Sequence, residues 1–189
     1  MTTALLLIDI QNDYFPGGAM EVVGAGAAAA QAARLLVAFR QESFPVIHIQ
    51  HLAARPGATF FLPGTRGAEI HESVRPASGE PVFQKHFPNS FRETPLLEHL
   101  RSTGVSRLII AGMMTHMCID TTTRAAADLG FGCALAHDTC ATRDLSFNGL
   151  AVPAASVQAA YLAALNGLFA KVLSASELCV DLHALQPGN

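Results

Sequence analysis

Short apolar runs alternate with longer segments of helical periodicity along the whole chain. The apolar runs have the length of strands and predict strands near residues 4–9, 45–50, 81–84, 106–112, 132–137 and 170–173. The segments between them predict helices near residues 24–42, 94–103, 118–129 and 155–167. Strands that alternate with helices are typical of an α/β domain, so we expect a mostly parallel six-stranded sheet with helices on both faces.

Glycines mark the ends of three of these helical runs. Gly104, Gly130 and Gly167 each follow a run at the position where glycine accepts a left-handed backbone conformation. The segment 53–79 has no clear period and contains seven proline and glycine residues. Loops of that length are uncommon unless they are functional, so we expect segment 53–79 and the insertion at 145–153 to shape a pocket.

Length and composition predict a single domain over residues 1–189 that associates with copies of itself. A chain of 189 residues fits one domain and can bury a sizeable core. Hydrophobic residues make up 50% of the chain and charged residues only 14%, against about 25% charged residues in typical soluble domains. Because large apolar surfaces usually mark interfaces, we expect a homo-oligomer, either a dimer or a tetramer.

The charge pattern argues against two classes of partner. The net charge is −3 and no basic block stands out, so we expect neither a nucleic acid nor a membrane as partner. The chain begins without a basic region before the first strand, so we expect a cytoplasmic protein. Its four cysteines form neither a dense disulfide scaffold nor a paired metal motif, and we expect them to be reduced.

Three chemically active side chains follow predicted strands. Asp9 closes the first strand, Lys85 closes the third, and Cys118 stands between the fourth strand and a helix. Unpaired N–H groups and the helix dipole at a helix start stabilise a thiolate, which would lower the thiol pKa below its free value of about 8.5. Each residue alone has an ordinary explanation as packing, a turn cap or a surface charge. Together, at the carboxyl edge of one sheet, they predict a catalytic site.

Three sequence blocks resemble the isochorismatase-like cysteine hydrolases, a family that includes nicotinamidases, N-carbamoylsarcosine amidases and ureidoacrylate amidases. The blocks are Ile8-Asp9-Ile10-Gln11-Asn12-Asp13-Tyr14-Phe15, then Lys85 with Asn89-Ser90-Phe91 and Thr94, then Gly112-Met113-Met114-Thr115-His116-Met117-Cys118 with Thr122 and Ala125. They occur in order between about Thr3 and Arg143. The resemblance implies a Rossmann-like three-layer sandwich and a catalytic triad of Asp9, Lys85 and Cys118.

The resemblance also implies a small-molecule substrate and a mechanism. It implies a non-proline cis peptide between Met113 and Met114 and an oxyanion hole formed by the backbone N–H groups of Met114 and Cys118. Asp9 would take the thiol proton, pass it to the leaving nitrogen and then activate water. Lys85 would stabilise the thiolate.

Several neighbouring residues are open to two interpretations. Tyr14 and Phe91 are predicted to bind substrate, although aromatic residues equally often pack in cores. Gln11 and Asn12 could fix the loop at Asp9 or serve ordinary turn chemistry. His116 lies two residues before Cys118, and we interpret it as a pocket-rim or subunit-facing side chain rather than a catalytic base.

Histidines raise the question of a metal. Nicotinamidases of the resembled family bind a divalent metal through an Asp-x-His pattern after the second strand, and this chain has Gln50-His51-Leu52-Ala53 there. His48 and His51 are three residues apart, so on a strand they point to opposite faces, and His71 stands alone in a loop. We therefore expect no metal and no cofactor.

The sequence favours a metal-independent cysteine hydrolase that cleaves an amide or ureido C–N bond through a thioester. One alternative is hydrolysis of a vinyl ether as in isochorismatases, in which the cysteine can be missing. Another is a noncatalytic ligand-binding protein or thiol redox sensor. Cys118 favours amide chemistry over ether chemistry, and Asp9 with Lys85 favours a hydrolase over a sensor. Nothing in the sequence dictates one substrate.

Overall fold

A computed structural model describes residues 2–184 of the chain. Its strands are β1 (Thr2–Ile8), β2 (Val46–His51), β3 (Val82–Lys85), β4 (Val105–Met113), β5 (Gly132–Ala141), β6 (Leu145–Phe147), β7 (Leu150–Val152) and β8 (Lys171–Leu173). Six of these strands form a sheet in the order β3-β2-β1-β4-β5-β8, in which every neighbouring pair is parallel. The strands β6 and β7 form a separate antiparallel hairpin.

Five α-helices accompany the sheet in the part of the chain that the structure describes. They are α1 (Ala25–Gln41), α2 (Leu96–Ser102), α3 (Asp120–Asp128), α4 (Ala154–Leu165) and α5 (Ala175–Ala184). Chain order runs outward in both directions from β1, so β1 and β4 flank the point at which the order reverses. Ligands of such sheets bind beyond the carboxyl ends of the strands at that point.

Two hydrophobic cores lie on the two faces of the sheet. In β1, Leu5 and Leu7 belong to one core, while Ala4, Leu6 and Ile8 belong to the other. This alternation follows from the period of two in a strand. The first core takes its helical side chains from α1 and α5, and the second takes them from α2, α3 and α4. The predicted three-layer α/β fold is therefore confirmed.

The elements depart from the sequence prediction in four places. The hairpin β6–β7 lies where only an insertion was expected, and α5 follows the last predicted strand. The strand predicted at 132–137 continues to Ala141, beyond an irregularity in its pairing with β4. The helix predicted from residue 118 begins at Asp120, because residues Thr115–Ile119 form one wider, π-helical turn.

The long segment 53–79 is ordered by the residues that follow β1. It contains two short 3-10 turns, Arg66–Ala68 and Glu72–Val74. The side-chain amide of Gln11 donates to the carbonyl of Ala68 at 2.7 Å, and that of Asn12 donates to the carbonyl of Arg66 at 2.8 Å. The Asp13 carboxylate accepts from the backbone N–H of Phe61 at 2.6 Å. These bonds fasten the loop over the carboxyl edge of the sheet.

An ion-pair network at Glu80 joins α1 to β2. Arg40 donates to both carboxylate oxygens of Glu80, at 2.7 and 2.8 Å, and Nε2 of His48 lies 2.9 Å from Oε2. The hydrogen bond from Arg40, against the opposing effect of burial, lowers the pKa of Glu80 to about 2. His48 is thus a buried, hydrogen-bonded imidazole, and Glu80 holds charge on the folded chain at neutral pH.

None of the helices within residues 2–184 combines the length and the apolar character that a membrane crossing requires.

Candidate active site

The three residues predicted to be catalytic meet at the carboxyl edge of the sheet. Asp9 directly follows β1, Lys85 is the last residue of β3, and Cys118 lies in the π-helical turn after β4. Asp9 and Lys85 are completely buried, and Cys118 is 5% exposed. Although they are far apart in the sequence, the structure brings all three together in a buried position.

Asp9 and Lys85 form a buried ion pair beside the thiol. Nζ of Lys85 lies 2.7 Å from Oδ2 of Asp9, and it also donates to the carbonyl of Phe87 at 3.1 Å. Sγ of Cys118 lies within 4.8 Å of a carboxylate oxygen of Asp9. Oδ1 of Asp9 has no hydrogen-bond partner among residues 2–184. That oxygen is therefore available to receive a proton.

The backbone around the site is shaped by a close approach between β1 and β4. Gly112 has φ of +133°, and a Cβ atom at this position would overlap the carbonyl oxygen of Ile8. Only glycine fits this conformation and this contact. Asp9, the next residue after Ile8, has φ of +52°, a left-handed conformation that Asp tolerates better than most residues. Gly112 thus allows β4 to end directly beside Asp9.

The turn that carries Cys118 begins at a cis peptide bond between Met113 and Met114. The carbonyl of Met114 accepts from the backbone N–H of Met117 at 3.0 Å and from that of Ile119 at 3.3 Å. Thr115 closes the turn from outside, since its hydroxyl donates to Oε1 of Gln158 at 2.6 Å. Met114 and Cys118, the predicted oxyanion-hole residues, therefore belong to one tightly hydrogen-bonded segment.

Burial reverses the charge state expected for Cys118. The pKa of the thiol is raised, first because the sulfur is buried and second because the Asp9 carboxylate is close, and the Lys85 ammonium only partly opposes these effects. The expectation of a lowered pKa was wrong because the sulfur is buried and lies close to the Asp9 carboxylate. Burial alone would lower the pKa of Lys85, but the nearby Asp9 carboxylate and the hydrogen bonds of the ammonium together outweigh burial, and the pKa is raised. The free protein therefore holds a thiol beside a carboxylate and an ammonium.

His51 belongs to the site, and the sequence analysis missed it. It is the last residue of β2, opposite Lys85 in the register of the sheet. Its Nδ1 lies 3.2 Å from Nζ of Lys85 and 3.9 Å from Oδ2 of Asp9. The strand period correctly places His51 and His48 on opposite faces of the sheet. The signal that His51 faces the site was its position at the carboxyl end of a strand.

Asp9, His51 and Cys118 lie close enough together to hold a metal ion. However, the ammonium of Lys85 lies at the same Asp9 and His51 atoms that an ion would need. A cation there would be repelled by the buried ammonium, so the donor set does not fit a metal.

A cavity of about 480 Å³ adjoins the site at His51. Its walls are mainly apolar, and Arg55 and His86 add polar groups to the lining. The lining residues are His51, Ala53, Ala54, Arg55, Ala58, Phe60, His86, Phe87, Pro88 and Met117. Such a cavity has the size and composition of a small-molecule site.

The two aromatic residues predicted to bind substrate occupy different environments. Tyr14 is buried against Phe61, with ring centroids 4.7 Å apart, and burial together with the nearby Asp9 carboxylate raises its pKa. Tyr14 therefore lies near the reactive groups. Phe91 instead stacks on Phe131 at 6.1 Å and lines a separate groove beside α2. Phe91 does not line the cavity, because after β3 it packs against the core that holds Phe131 and Leu96.

His116 points away from the reacting groups. Its Nδ1 lies 2.5 Å from the hydroxyl of Thr142, and its ring packs edge-on against Tyr161. This arrangement agrees with the interpretation of His116 as a side chain outside the catalytic set.

Comparisons with known proteins place these features in a family. Residues 3–177 match the model of the isochorismatase domain. An uncharacterized isochorismatase family protein, YddQ of Bacillus subtilis, is 51% identical over 172 residues, which are 91% of this chain and 96% of that protein. The crystal structure of a putative isochorismatase hydrolase from Oleispira antarctica is 54% identical, covers 95% of this chain and 96% of its own, and superposes with a TM-score of 0.92. The nicotinamidase/pyrazinamidase of Mycobacterium tuberculosis is 30% identical over 67% of this chain and 80% of that enzyme.

Proposed function

The chain belongs to the isochorismatase family, and from that premise we propose that it hydrolyses a carbon–nitrogen bond of a small amide or ureido compound through a thioester on Cys118. The observation that carries the proposal is the buried Asp9–Lys85 ion pair within reach of a buried thiol. The named relative that acts on nicotinamide supports amide chemistry in this family.

The raised pKa of Cys118 favours a first step in which the thiol proton moves to Asp9. Because the sulfur is a thiol before substrate binds, its proton must leave as the sulfur attacks the carbonyl carbon. Oδ1 of Asp9, which has no partner within residues 2–184, accepts that proton while the S–C bond forms. Lys85 then compensates the negative charge that has moved from the carboxylate to the reacting atoms.

The C–N bond breaks when Asp9 returns the proton to the leaving nitrogen. A water molecule next gives a proton to Asp9 and attacks the thioester, the C–S bond breaks, and Asp9 returns the proton to the sulfur, which releases a carboxylic acid, or a carbamic acid from a ureido compound, and restores the thiol. The backbone N–H groups of Met114 and Cys118 are the proposed donors to the oxyanion in both steps. Each step balances with water as the only other reactant.

The geometry argues against a thiol redox sensor. Cysteines of that class combine a low pKa with access to solvent. Cys118 is 5% exposed and its pKa is raised. Oxidants would therefore meet a largely buried thiol rather than an exposed thiolate, whereas a substrate that triggers proton transfer to Asp9 needs no resting thiolate.

The proposal is tested by ammonia release from a panel of primary amides and ureido acids, with nicotinamide included. We expect the wild type to hydrolyse at least one compound of the panel. We expect Cys118→Ala to hydrolyse none of them. Equal release by the two proteins would refute the proposal. A panel without activity, combined with hydrolysis of a vinyl ether, would favour the isochorismatase reaction.

A further inference from the structure

His51 is held in one protonation state by the ion pair beneath it. Its Nδ1 lies 3.2 Å from the ammonium of Lys85, which can only donate hydrogen bonds. Nδ1 must therefore accept, and in a neutral imidazole the proton then sits on Nε2. Burial, with a smaller contribution from Lys85, lowers the pKa of His51 to about 4, so the ring is neutral at physiological pH.

The Nε2 edge of the ring lies opposite the buried ion pair. The Nδ1 edge contacts Asp9 and Lys85, which are completely buried, whereas 18% of the His51 side chain is exposed. His51 also forms part of the wall of the 480 Å³ cavity. No residue within 2–184 accepts a hydrogen bond from Nε2. The ring therefore offers an unused donor to whatever the cavity holds.

We propose that the Nε2–H group of His51 binds a hydrogen-bond acceptor of the substrate and makes His51 a specificity-determining residue. This inference rests on the proposed function and deepens it. The substrate it selects is a small, uncharged or anionic amide or ureido compound with an apolar body and an acceptor oxygen or ring nitrogen near the scissile carbon. Phe60, Phe87 and Met117 contact the apolar body, and His51 holds the acceptor.

Two substitutions distinguish the role of Nε2 from that of Nδ1. The amide of Gln in His51→Gln reaches the position of Nε2 and keeps a donor toward the cavity. The shorter amide of Asn in His51→Asn reaches the position of Nδ1, so it keeps an acceptor for Lys85 and loses the donor. With the best amide of the panel, we expect His51→Asn to raise KM about tenfold or more with a smaller change in kcat, and His51→Gln to stay near the wild type.

A second measurement tests the donor role of His51 without substrate hydrolysis. Iodoacetamide offers a carbonyl oxygen to the cavity, whereas allyl iodide alkylates thiols and has no acceptor. We expect the ratio of Cys118 alkylation rates, iodoacetamide over allyl iodide, to fall in His51→Asn and to be kept in His51→Gln. If the wild type hydrolyses no amide but the ratio shifts in this way, the proposed reaction fails and the donor role stands.

Three outcomes overturn the inference. If His51→Asn keeps wild-type KM and wild-type alkylation ratio, the donor does not contact the ligand. If His51→Gln is impaired as much as His51→Asn or more, the ring acts through Nδ1 and Lys85, or through the fold. If both variants match the wild type, His51 has no role in binding.

Discussion

Replacing Asp9 by Asn should make Cys118 more reactive toward an alkylating agent while it abolishes hydrolysis. The substitution keeps the shape of the side chain and removes its negative charge. In the wild type that charge raises the pKa of the buried thiol and also neutralises Lys85. In Asp9→Asn the sulfur therefore faces an ammonium without the opposing carboxylate, and the thiolate becomes easier to form.

The size of the effect follows from the spacing of the two groups. Sγ lies within 4.8 Å of a carboxylate oxygen of Asp9. At an effective dielectric constant of about 20, two unit charges at that distance interact by about 3.5 kcal/mol, or about 2.5 pKa units. A fall of about 2 units in the pKa of Cys118 raises the thiolate fraction about 100-fold, and the lower nucleophilicity of a less basic thiolate removes about tenfold of this gain. We expect alkylation to be about tenfold faster.

The assay is the rate of iodoacetamide addition between pH 6 and 10, followed by mass spectrometry of the peptide that contains Cys118. Peptide mapping is needed because Cys133, Cys140 and Cys179 are also free thiols. Lys85→Met is the matched control, since loss of the ammonium should slow alkylation of Cys118. If Asp9→Asn is alkylated at the wild-type rate or more slowly, with an unchanged pH profile, the Asp9 carboxylate does not raise the pKa of Cys118.

Three other predictions concern stability and assembly. Lys85→Met leaves the Asp9 carboxylate buried without its cation, so it should cost about 3 to 5 kcal/mol and lower Tm by about 6 to 20 °C. Calorimetry should show that the double variant Asp9→Asn/Lys85→Met recovers part of the lost Tm. A double variant with a Tm no higher than that of Lys85→Met would contradict the pairing of Asp9 with Lys85. The pKa of Glu80 is about 2 in the folded chain and about 4.3 when unfolded, so its stabilisation is complete above about pH 5 and disappears as the pH falls toward 2. Urea unfolding of Glu80→Gln should show a loss of about 1 to 3 kcal/mol at pH 7 and none near pH 2, whereas a difference that does not change with pH would exclude this role. Phe147 and Leu150 are 74% and 70% exposed on the hairpin β6–β7, and we propose that a second copy covers them. Light scattering should give the mass of a dimer or a tetramer for the wild type and a lower mass for Phe147→Ser. A monomeric wild type would exclude this interface.

The architecture and the meeting of three catalytic candidates could be predicted from the sequence for a physical reason. The run Ala4–Ile8 is apolar without alternation, which indicates a strand buried on both faces, as in a parallel sheet. Parallel strands place their carboxyl ends at one edge. Polar residues that follow such strands, as Asp9 and Lys85 do, must therefore lie at the same edge.

The hairpin β6–β7 was missed although a signal was present. Asn148 and Gly149 both have positive φ, at +49° and +76°, and they join two apolar strands of three residues each. An Asn-Gly pair between short apolar runs favours a tight hairpin turn. The runs were too short to stand out from the surrounding insertion.

The charge state of Cys118 could not be predicted from its neighbours in the sequence. The helix dipole and Lys85 both favour a thiolate, and the motif shows both of them. Burial and the distance to Asp9 decide the balance, and these are properties of the folded chain. The same holds for Phe91, since its packing on Phe131 depends on how the loop after β3 turns.

Hydrolysis by the proposed route requires that Cys118 becomes covalently acylated during turnover. The most direct test is rapid acid quenching of the protein during hydrolysis of an active amide, followed by mass spectrometry of the intact chain and of the Cys118 peptide. We expect a mass increase equal to the acyl group on Cys118, and no increase in Cys118→Ala. Steady hydrolysis by Cys118→Ala without any adduct would contradict it.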